Sequence, residues 1–367
     1  MSTLQEVKSP PTSQMILSEM KLFGHEQVTY CQDQDTGLKA IIAIHNTVLG
    51  PSLGGTRFWD YAKEGDATID ALRLSRGMTY KSSLAGLNLG GGKAVILGDP
   101  AKLKSEALLR RFGKFIESLG GKYITAEDVG MSSRDMEIIH QETKFVSGLP
   151  EAMGGGGDPS PVTAYGVYVS MKAAVKEVYG NDALAGKKIL IQGLGSVGIH
   201  LAELCFKENA KLLVYDIRQD RIRMAVEKYK AIPIEEHKML DEEIDIYAPC
   251  ALGAGINTGS ISRLKCAIIC GAANNQLEDE GIHGEMVAAR GILYAPDFVV
   301  NAGGIINVYY ELQGYVKERA LRHAEQISPT ISEVFRIAKE QKIPTYLAAN
   351  RLAERRIEAI AKLKTRM

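Results

Sequence analysis

The stretch KILIQGLGSVG, residues 188–198, decides the fold of the second half of the chain. A short apolar run typical of a buried strand leads into a G-x-G-x-x-G pattern, and a helical pattern follows from Ser196 to Glu208. Further strand-like and helical segments alternate after it, as they do in a parallel sheet covered by helices on both faces. The sequence therefore predicts a doubly wound α/β domain in this half.

The glycine-rich turn has the features of a phosphate-binding turn. Glycines permit a tight turn and let a pyrophosphate approach the amide groups that open the helix, whose dipole favours an anion. Because a strand precedes the turn and a helix follows it, a dinucleotide site of the Rossmann type is predicted. Its candidate residues are Gly193, Gly195, Ser196, Val197 and Gly198.

Asp216 and Arg218 bear on which dinucleotide binds. Asp216 follows the predicted strand Lys211–Tyr215 and lies 18 residues past Gly198, the spacing expected of a carboxylate that binds ribose hydroxyls. Its charge would repel a 2′-phosphate, so NAD is expected in preference to NADP. Arg218 argues against this preference for NAD, because its guanidinium would favour binding of that phosphate.

A second stretch, GMTYKSSLAGLNLGGGK (residues 77–93), organises the first half of the chain. Lys81 and Lys93 bracket a segment that ends in three glycines, residues 90–92, for which we expect a turn that a ligand can approach closely. Two neighbouring ammonium groups disfavour each other's charge, and burial adds to this effect. The stretch predicts a catalytic pair of lysines, one of them a base near neutral pH.

The segments around that stretch indicate an α/β domain with a mixed sheet. A hairpin is expected at residues 27–45, a loop at 49–57, and short strands at 94–97 and 123–125. Asp128 follows the last of these strands, where ligands bind in open α/β sheets. It is therefore a candidate acid or base.

Composition excludes several classes of function. The chain of 367 residues has 44 basic and 44 acidic residues, so no excess of charge points to nucleic acid or to a membrane surface. The five cysteines are scattered, with no C-x-x-C pair. We expect buried thiols of a reducing cytoplasm, no metal site, and neither a signal peptide nor a membrane span.

Several motifs, in order along the chain, resemble the Glu/Leu/Phe/Val amino-acid dehydrogenases. The pair of motifs GMTYK and GGGK is much more specific for this family than the glycine-rich turn. The matching segments are LGPSLGGTR (49–57), LRLSRGMTYKSSLAGLNLGGGKAVILGDP (72–100), YITAEDVG (123–130), DPSPVTAYGVY (158–168) and NAGGIINV (301–308).

The resemblance implies a division of labour among three charged residues. Lys81 would bind the α-carboxylate of an amino acid, Lys93 would be the general base that activates water, and Asp128 would exchange a proton with the substrate amine. It further implies that backbone and apolar side chains line the substrate pocket, and that two residues lie on the cofactor side. The pocket set is Leu53, Gly54, Gly55, Ala126, Ile305 and Val308; the cofactor set is Asn275 and Ser147, the latter at a position where many relatives carry threonine.

The implied reaction is NAD-dependent oxidative deamination of a branched-chain L-amino acid to the 2-oxo acid and ammonia, because the pocket residues are aliphatic. Specificity for phenylalanine or valine, and a non-catalytic NAD-binding protein, are the alternatives. Tyr309 and Tyr310, where smaller or acidic residues are expected, leave the preferred side chain open. The resemblance also implies a homo-oligomer, an octamer.

The predicted architecture has two domains with the active site in the cleft between them. Residues 1–147 with about 345–367 form the substrate-binding, catalytic and oligomerisation domain, and residues 148–344 form the Rossmann domain. A glycine-rich hinge, GGGGDPSP at 154–161, lies near the boundary.

Overall fold

The computed structural model describes residues 12–251 and 253–364. Residues 1–11 and 365–367, assigned above to the first domain, lie outside this range, as does residue 252. The chain divides into two compact units: residues 1–79 with 88–150, and residues 80–87 with 151–367.

The first unit contains a five-stranded sheet in the order β1-β2-β4-β3-β5. Strand β2 runs antiparallel to β1 and β4, whereas β3 runs parallel to β4 and β5. The mixed sheet predicted for this half is therefore confirmed. Its strands are β1 (Gln27–Asp33), β2 (Leu38–Asn46), β3 (Ser52–Trp59), β4 (Gly90–Leu97) and β5 (Tyr123–Glu127), and its helices are α1 (Thr12–Phe23), α2 (Glu64–Leu84, which continues into the second unit), α3 (Pro100–Leu103), α4 (Glu106–Ser118) and α5 (Ser133–His140).

Both faces of this sheet are covered. Successive residues of β2 point to opposite faces, so Ile42 packs with Phe112 of α4 while Ile41 packs with Leu72 of α2. Alternating apolar residues of one strand thus contribute to two hydrophobic clusters.

Several glycines in the strands of this unit let neighbouring strands approach closely rather than forming turns. The predicted turn at 90–92 is wrong, because these glycines begin β4, and the predicted loop at 49–57 contains most of β3. A Cβ on Gly54 would lie 1.7 Å from the carbonyl oxygen of Gly92, and one on Gly92 would lie 2.6 Å from the ring of Tyr123. Glycine is required at both positions because no side chain fits.

The second unit contains a six-stranded parallel sheet in the order β11-β10-β9-β6-β7-β8. The order reverses at β6, the strand that precedes the glycine-rich turn, which confirms the doubly wound fold. The strands are β6 (Lys188–Gln192), β7 (Lys211–Tyr215), β8 (Ile232–Pro233), β9 (Ile246–Pro249), β10 (Ile268–Ile269) and β11 (Leu293–Tyr294).

Helices cover the sheet of the second unit. A short 3-10 turn at Glu151–Met153 and the glycine-rich segment precede the first long helix. The helices are α6 (Ser160–Tyr179), α7 (Ser196–Lys207), α8 (Gln219–Tyr229), α9 (Glu236–Met239), α10 (Thr258–Arg263), α11 (Glu280–Ala289), α12 (Asp297–Val300), α13 (Gly303–Glu311), α14 (Lys317–Ala324), α15 (Ile327–Gln341) and α16 (Thr345–Lys364).

Helix α16 holds the end of helix α2 within the second unit. The Arg356 guanidinium donates to the carbonyl oxygens of Ser83 at 3.1 Å and Leu87 at 2.8 Å, and the Ser83 hydroxyl donates to the carbonyl of Ala353 at 2.9 Å. Residues 345–364, assigned above to the first domain, are therefore grouped here with 80–87. The unit boundary at residue 150 lies close to the predicted one at 147.

Candidate active site

Lys93 and Asp128 are in contact within the first unit. Lys93 lies on β4, Asp128 follows β5, and β3 runs between the two strands. The Lys93 ammonium donates to Oδ2 of Asp128. A Cβ on Gly55 of β3 would lie 2.3 Å from the Glu127 carbonyl oxygen and 3.0 Å from Cβ of Asp128, so glycine lets the two side chains meet across the intervening strand.

The environment of this pair shifts both pKa values. Burial lowers the pKa of Lys93, whose side chain is 8% exposed, and the adjacent Asp128 carboxylate only partly offsets that effect. Burial alone would raise the pKa of Asp128, but the Lys93 ammonium, Arg57 and the Val129 amide, which donates at 2.7 Å, together hold it below its usual range. The lowered pKa of Lys93 suits it to act as a base, and the lowered pKa of Asp128 keeps it ionised as a carboxylate.

Arg57 is a site residue that sequence reasoning missed. Its Nε lies 3.5 Å from Oδ2 of Asp128 and its Nη1 donates to Asp70 at 2.8 Å, while the Tyr61 hydroxyl donates to the same carboxylate at 2.6 Å. Arg57 lowers the pKa of Lys93, an effect the sequence attributed to a second lysine. The signal was available, because Arg57 follows Gly55 by two residues and shares its face of β3.

Lys81 lies in the second unit, in the last turn of α2. Its charge acts on Asp297, the buried first residue of α12: burial raises the pKa of Asp297, while the amide of Gln276, at 3.1 Å, and the Lys81 ammonium oppose that rise. Asn275, the predicted nicotinamide-side residue, precedes Gln276 and has a left-handed φ of 51°. Asp297, which sequence reasoning also missed, therefore interacts with Lys81 and with the backbone next to Asn275.

The predicted pocket residues fall into two groups. Leu53 and Ala126 are buried in the first unit on the paired strands β3 and β5, where Gly55 lies opposite Ala126. Ile305 and Val308 lie one turn apart on α13 in the second unit, buried and half-buried respectively. That all four line one pocket stays a prediction.

The glycine-rich turn fits a pyrophosphate. Gly193 has a φ of 97°, and a Cβ on Gly198 would lie 2.0 Å from the Gly193 carbonyl oxygen, so both glycines are required by the turn. Beside Gly195 there is space: the nearest described atom to an added Cβ would be Nη1 of Arg221, at 3.8 Å. No side chain among residues 12–251 and 253–364 caps helix α7, which Ser196 and Val197 open, so its amide groups can receive an anion.

Asp216 is tied to the same turn. Its carboxylate is buried and accepts the Leu194 amide at 2.6 Å and the Arg218 amide at 2.8 Å. A carboxylate has about four acceptor positions, so capacity for ribose hydroxyls remains. The Arg218 guanidinium pairs with Asp220 at 2.7 Å.

Ser147 is buried in the first unit. Its hydroxyl donates to the carbonyl of Thr125 at 3.1 Å, which places it beside β5; its predicted role toward the cofactor is untested.

Within the described ranges, no group of His, Cys, Asp and Glu side chains has the arrangement of a metal site. Nor does any described helix have the length and apolar character needed to cross a membrane.

Family models match nearly the whole chain. Residues 25–145 match the Glu/Leu/Phe/Val dehydrogenase dimerisation domain, and residues 154–216 and 213–364 match the Glutamate/Leucine/Phenylalanine/Valine dehydrogenase domain. The boundary between the two matches falls at the start of the glycine-rich hinge segment.

Individual relatives span almost the same length. The chain is 54% identical over 350 residues to leucine dehydrogenase of Thermoactinomyces intermedius, which covers 95% of each chain. It is 48% identical over 337 residues to valine dehydrogenase of Streptomyces coelicolor, covering 91% of this chain and 92% of that one.

Solved structures give the same result. The crystal structure of L-tryptophan dehydrogenase from Nostoc punctiforme matches with a TM-score of 0.85 at 43% identity, covering 94% of this chain and 99% of that chain. A hetero-hexameric glutamate dehydrogenase from Thermus thermophilus matches with a TM-score of 0.75 at 20% identity, covering 99% of each chain, and supports the fold alone.

Proposed function

Because the chain belongs to the Glu/Leu/Phe/Val dehydrogenase family, we propose that it oxidises branched-chain L-amino acids, leucine above all, with NAD⁺. The products are the 2-oxo acid and ammonia, and the reaction is reversible. The chain is an enzyme that acts on the CH–NH₂ group of an amino acid. The observation that carries the proposal is the contact of Lys93 with Asp128 on a glycine-lined sheet.

The first half of the reaction needs a fixed substrate and a proton acceptor. The Lys81 ammonium binds the α-carboxylate, and the Asp128 carboxylate takes a proton from the substrate ammonium group, which frees the nitrogen lone pair. A dinucleotide held by Gly193, Gly195 and Asp216 would supply the acceptor for the hydride that leaves Cα. An imine results, held by the same two charged side chains.

The second half needs a base for water. Burial lowers the pKa of Lys93 and increases the neutral fraction of its amine, so it takes a proton from the water that adds to the imine carbon. Asp128 returns to the nitrogen of the adduct the proton that it took in the first half, and the carboxylate thus freed accepts the proton of the new hydroxyl group as the C=O bond forms. The protons held by Lys93 and Asp128, which are in contact, are then released to solvent. Ammonia leaves and the oxo acid remains.

The preference for NAD is part of the proposal. Asp216 is a buried carboxylate beside the turn, and a 2′-phosphate would bring two further negative charges close to it. Two arginines lie near this carboxylate: Arg218 pairs with Asp220, and Nη1 of Arg221 lies 3.7 Å from Oδ2 of Asp216. We expect NADH formation to be far more efficient than NADPH formation with the same amino acid.

A panel of L-amino acids tests the substrate class. Formation of NADH is measured with leucine, valine, isoleucine, phenylalanine and glutamate, and repeated with NADP⁺. Apolar pockets separate neighbouring side chains by roughly 1–3 kcal/mol per methylene, so the branched-chain substrates are expected within about 200-fold of one another. A higher kcat/KM for phenylalanine or valine than for leucine would support the corresponding alternative specificity.

The variant Lys93→Ala tests the assignment of the base. We expect kcat to fall by about 10²- to 10⁴-fold, the usual contribution of a general base, with a small change in KM. Lys104→Ala is the matched control, because Lys104 is also ion-paired, with Asp135 at 2.7 Å, in the same unit. Near-normal turnover with a large rise in KM would instead make Lys93 a binding residue.

Assembly and location complete the proposal. A homo-oligomer, octameric as the resemblance implies, is proposed for the chain; light scattering after size-exclusion chromatography measures its mass. The cytoplasmic location and the closing of the two units around the substrate remain predictions.

A further inference from the structure

The residues that follow helix α2 fold back onto its last turn. The amide of Ala85 donates to the carbonyl of Lys81 at 3.0 Å, and the amide of Leu87 donates to the carbonyl of Ser82 at 3.0 Å. Gly86 between them has a φ of 71°. A displacement of Ala85 therefore reaches the backbone of Lys81 through one hydrogen bond.

His323 of α14 binds this turn from the outside. Its Nε2 lies 2.7 Å from the carbonyl oxygen of Ala85. Because a carbonyl can only accept, Nε2 carries a hydrogen and donates it. A Cβ on Gly86 would lie 3.6 Å from the same nitrogen, so the imidazole packs directly against the turn.

The second nitrogen of His323 is held by α13. Its Nδ1 lies 3.1 Å from the hydroxyl of Tyr310, and the ring of Tyr310 is covered by the guanidinium of Arg319 at 4.9 Å and by the edge of Tyr309. A continuous path thus joins α13 to the backbone of Lys81. The Tyr310 ring, which the sequence left as a possible pocket residue, is engaged in this path.

The same helix carries two of the predicted pocket residues. Ile305 and Val308 precede Tyr310 on α13. Within the second unit, His323 therefore connects the element that would bind the substrate side chain with the element that would bind its carboxylate. These two anchors must keep a fixed separation for Cα of the substrate to be placed reproducibly.

We propose that His323 is a positioning residue, which holds Lys81 in register with α13 by bridging Ala85 and Tyr310. The inference rests on the proposed function, since it takes Lys81 as the carboxylate-binding residue. It assigns His323 no contact with substrate or cofactor. Loss of His323 changes the affinity for the amino acid and the discrimination between side-chain lengths. It leaves the affinity for the dinucleotide unchanged.

The test uses three substitutions in the full-length enzyme. His323→Leu removes both hydrogen bonds, Tyr310→Phe removes one, and His323→Gln retains a donor for the Ala85 carbonyl. Since one hydrogen bond is worth roughly a factor of 3 to 10 in an equilibrium constant, His323→Leu is expected to raise KM for leucine by about that factor. It is also expected to reduce the leucine-to-valine ratio of kcat/KM and to leave KM for NAD⁺ unchanged.

Tyr179→Phe is the matched control. Tyr179 also donates its hydroxyl, to Asp245 at 2.8 Å, and is also covered by a cation, Lys187 at 3.3 Å, in the same unit but outside the site. It should leave both KM values unchanged. His323→Gln should recover most of the affinity for leucine, and Tyr310→Phe should lie between it and His323→Leu.

Two results would overturn the proposal. One is an unchanged KM for leucine in His323→Leu; the other is an equal rise in both KM values in all three variants, which would indicate a general structural role. If His323→Leu fails to fold, Tyr310→Phe and His323→Gln decide the matter by the same readouts. Failure of the proposed function would look different, because the wild-type enzyme would then form no NADH from any amino acid.

Discussion

Arg57 contributes to the protonation balance of the Lys93–Asp128 pair, after burial and the mutual attraction of the two groups. The guanidinium faces the carboxylate of Asp128 and that of Asp70, and it lowers the pKa of Lys93. A buried lysine beside a lone carboxylate would be held as an ammonium group. A cation on the far side of the carboxylate weakens that hold, which favours the neutral amine that a base requires.

Replacing Arg57 by glutamine should therefore move the pH profile of the enzyme. Loss of the cation raises the pKa of Lys93, so the rise of kcat/KM with pH should shift to higher pH. Arg110→Gln is the control, because Arg110 pairs with Glu142 at 2.9 Å away from the site. An unshifted profile in Arg57→Gln would show that Arg57 does not act on the base.

The carboxylate of Asp216 should control the choice of dinucleotide. In Asp216→Ser we expect KM for NAD⁺ to rise by about 10- to 150-fold, since a hydrogen bond to a charged group is worth roughly 1.5–3 kcal/mol. The NADP⁺-to-NAD⁺ ratio of kcat/KM should rise, because the repulsion of a 2′-phosphate is gone. Steady-state kinetics with both dinucleotides measure this; a ratio equal to that of the wild type would contradict it. Asp241→Ser, which breaks an exposed ion pair with Arg263, is the control.

At the scale of elements, the sheet of the first unit shows what sequence patterns can and cannot predict. Strand β1 and the β-α-β order of the second unit follow from alternation, periodicity and glycine position, and the structure confirms them. Strand β3 and the start of β4 were missed because glycine has low strand propensity and is common in turns. Only the neighbouring strand shows that Gly54 and Gly92 are there to let two backbones approach.

The residues of the candidate site also divide into those that sequence patterns predict and those that they miss. Lys93 and Asp128 were found because rare motifs surround them. Arg57 and Asp297 were missed. The spacing of Arg57 from Gly55 offered a signal, although only the tertiary structure shows its partner Asp128. Asp297 is recognisable only by Lys81 and the amide of Gln276, which tertiary structure brings to it.

The close strand contact predicts a strong effect of one methyl group. In Gly54→Ala the added Cβ would lie 1.7 Å from a backbone carbonyl, which cannot rotate away, so the free energy of unfolding should fall by about 3 kcal/mol. Gly65→Ala in α2 is the matched control: no described atom lies within 4 Å of its added Cβ, and helix propensity favours alanine by roughly 0.5–1 kcal/mol. Urea unfolding of both variants measures the difference, and equal stabilities would contradict it.

At the scale of the whole molecule, two histidines join α1, β2 and α2 in the first unit. The rings of His25 and His45 lie 4.8 Å apart, His25 contacts the carbonyl of Leu72 at 3.0 Å, and His45 contacts the hydroxyl of Thr79 at 2.8 Å. Burial and the neighbouring His45 lower the pKa of His25 to about 4, and burial lowers that of His45. Arg76 lowers both further, whereas Glu26 opposes the shift at His45.

This pair should make stability depend on pH in acid. The unfolded chain protonates His25 near its ordinary pKa of 6.5, whereas the folded chain does so only near 4. Stability is therefore full above pH 6.5 and is lost as the pH falls toward 4, by less than about 1.4 kcal/mol per pH unit for this group. Melting temperatures across that range should fall more steeply for the wild type than for His25→Gln; parallel curves would contradict the assignment.

The bond between Arg356 and the carbonyl of Ser83 joins residues that lie 273 positions apart in the chain. A ribosome adds roughly 5–20 residues per second, so about 14 to 55 seconds pass between the synthesis of the one and of the other. During that interval the end of helix α2, which carries Lys81, has been synthesised but lacks its hydrogen bond to Arg356. The rate of translation thus sets the earliest moment at which Lys81, the proposed carboxylate-binding residue, is held in its final place in a newly made chain.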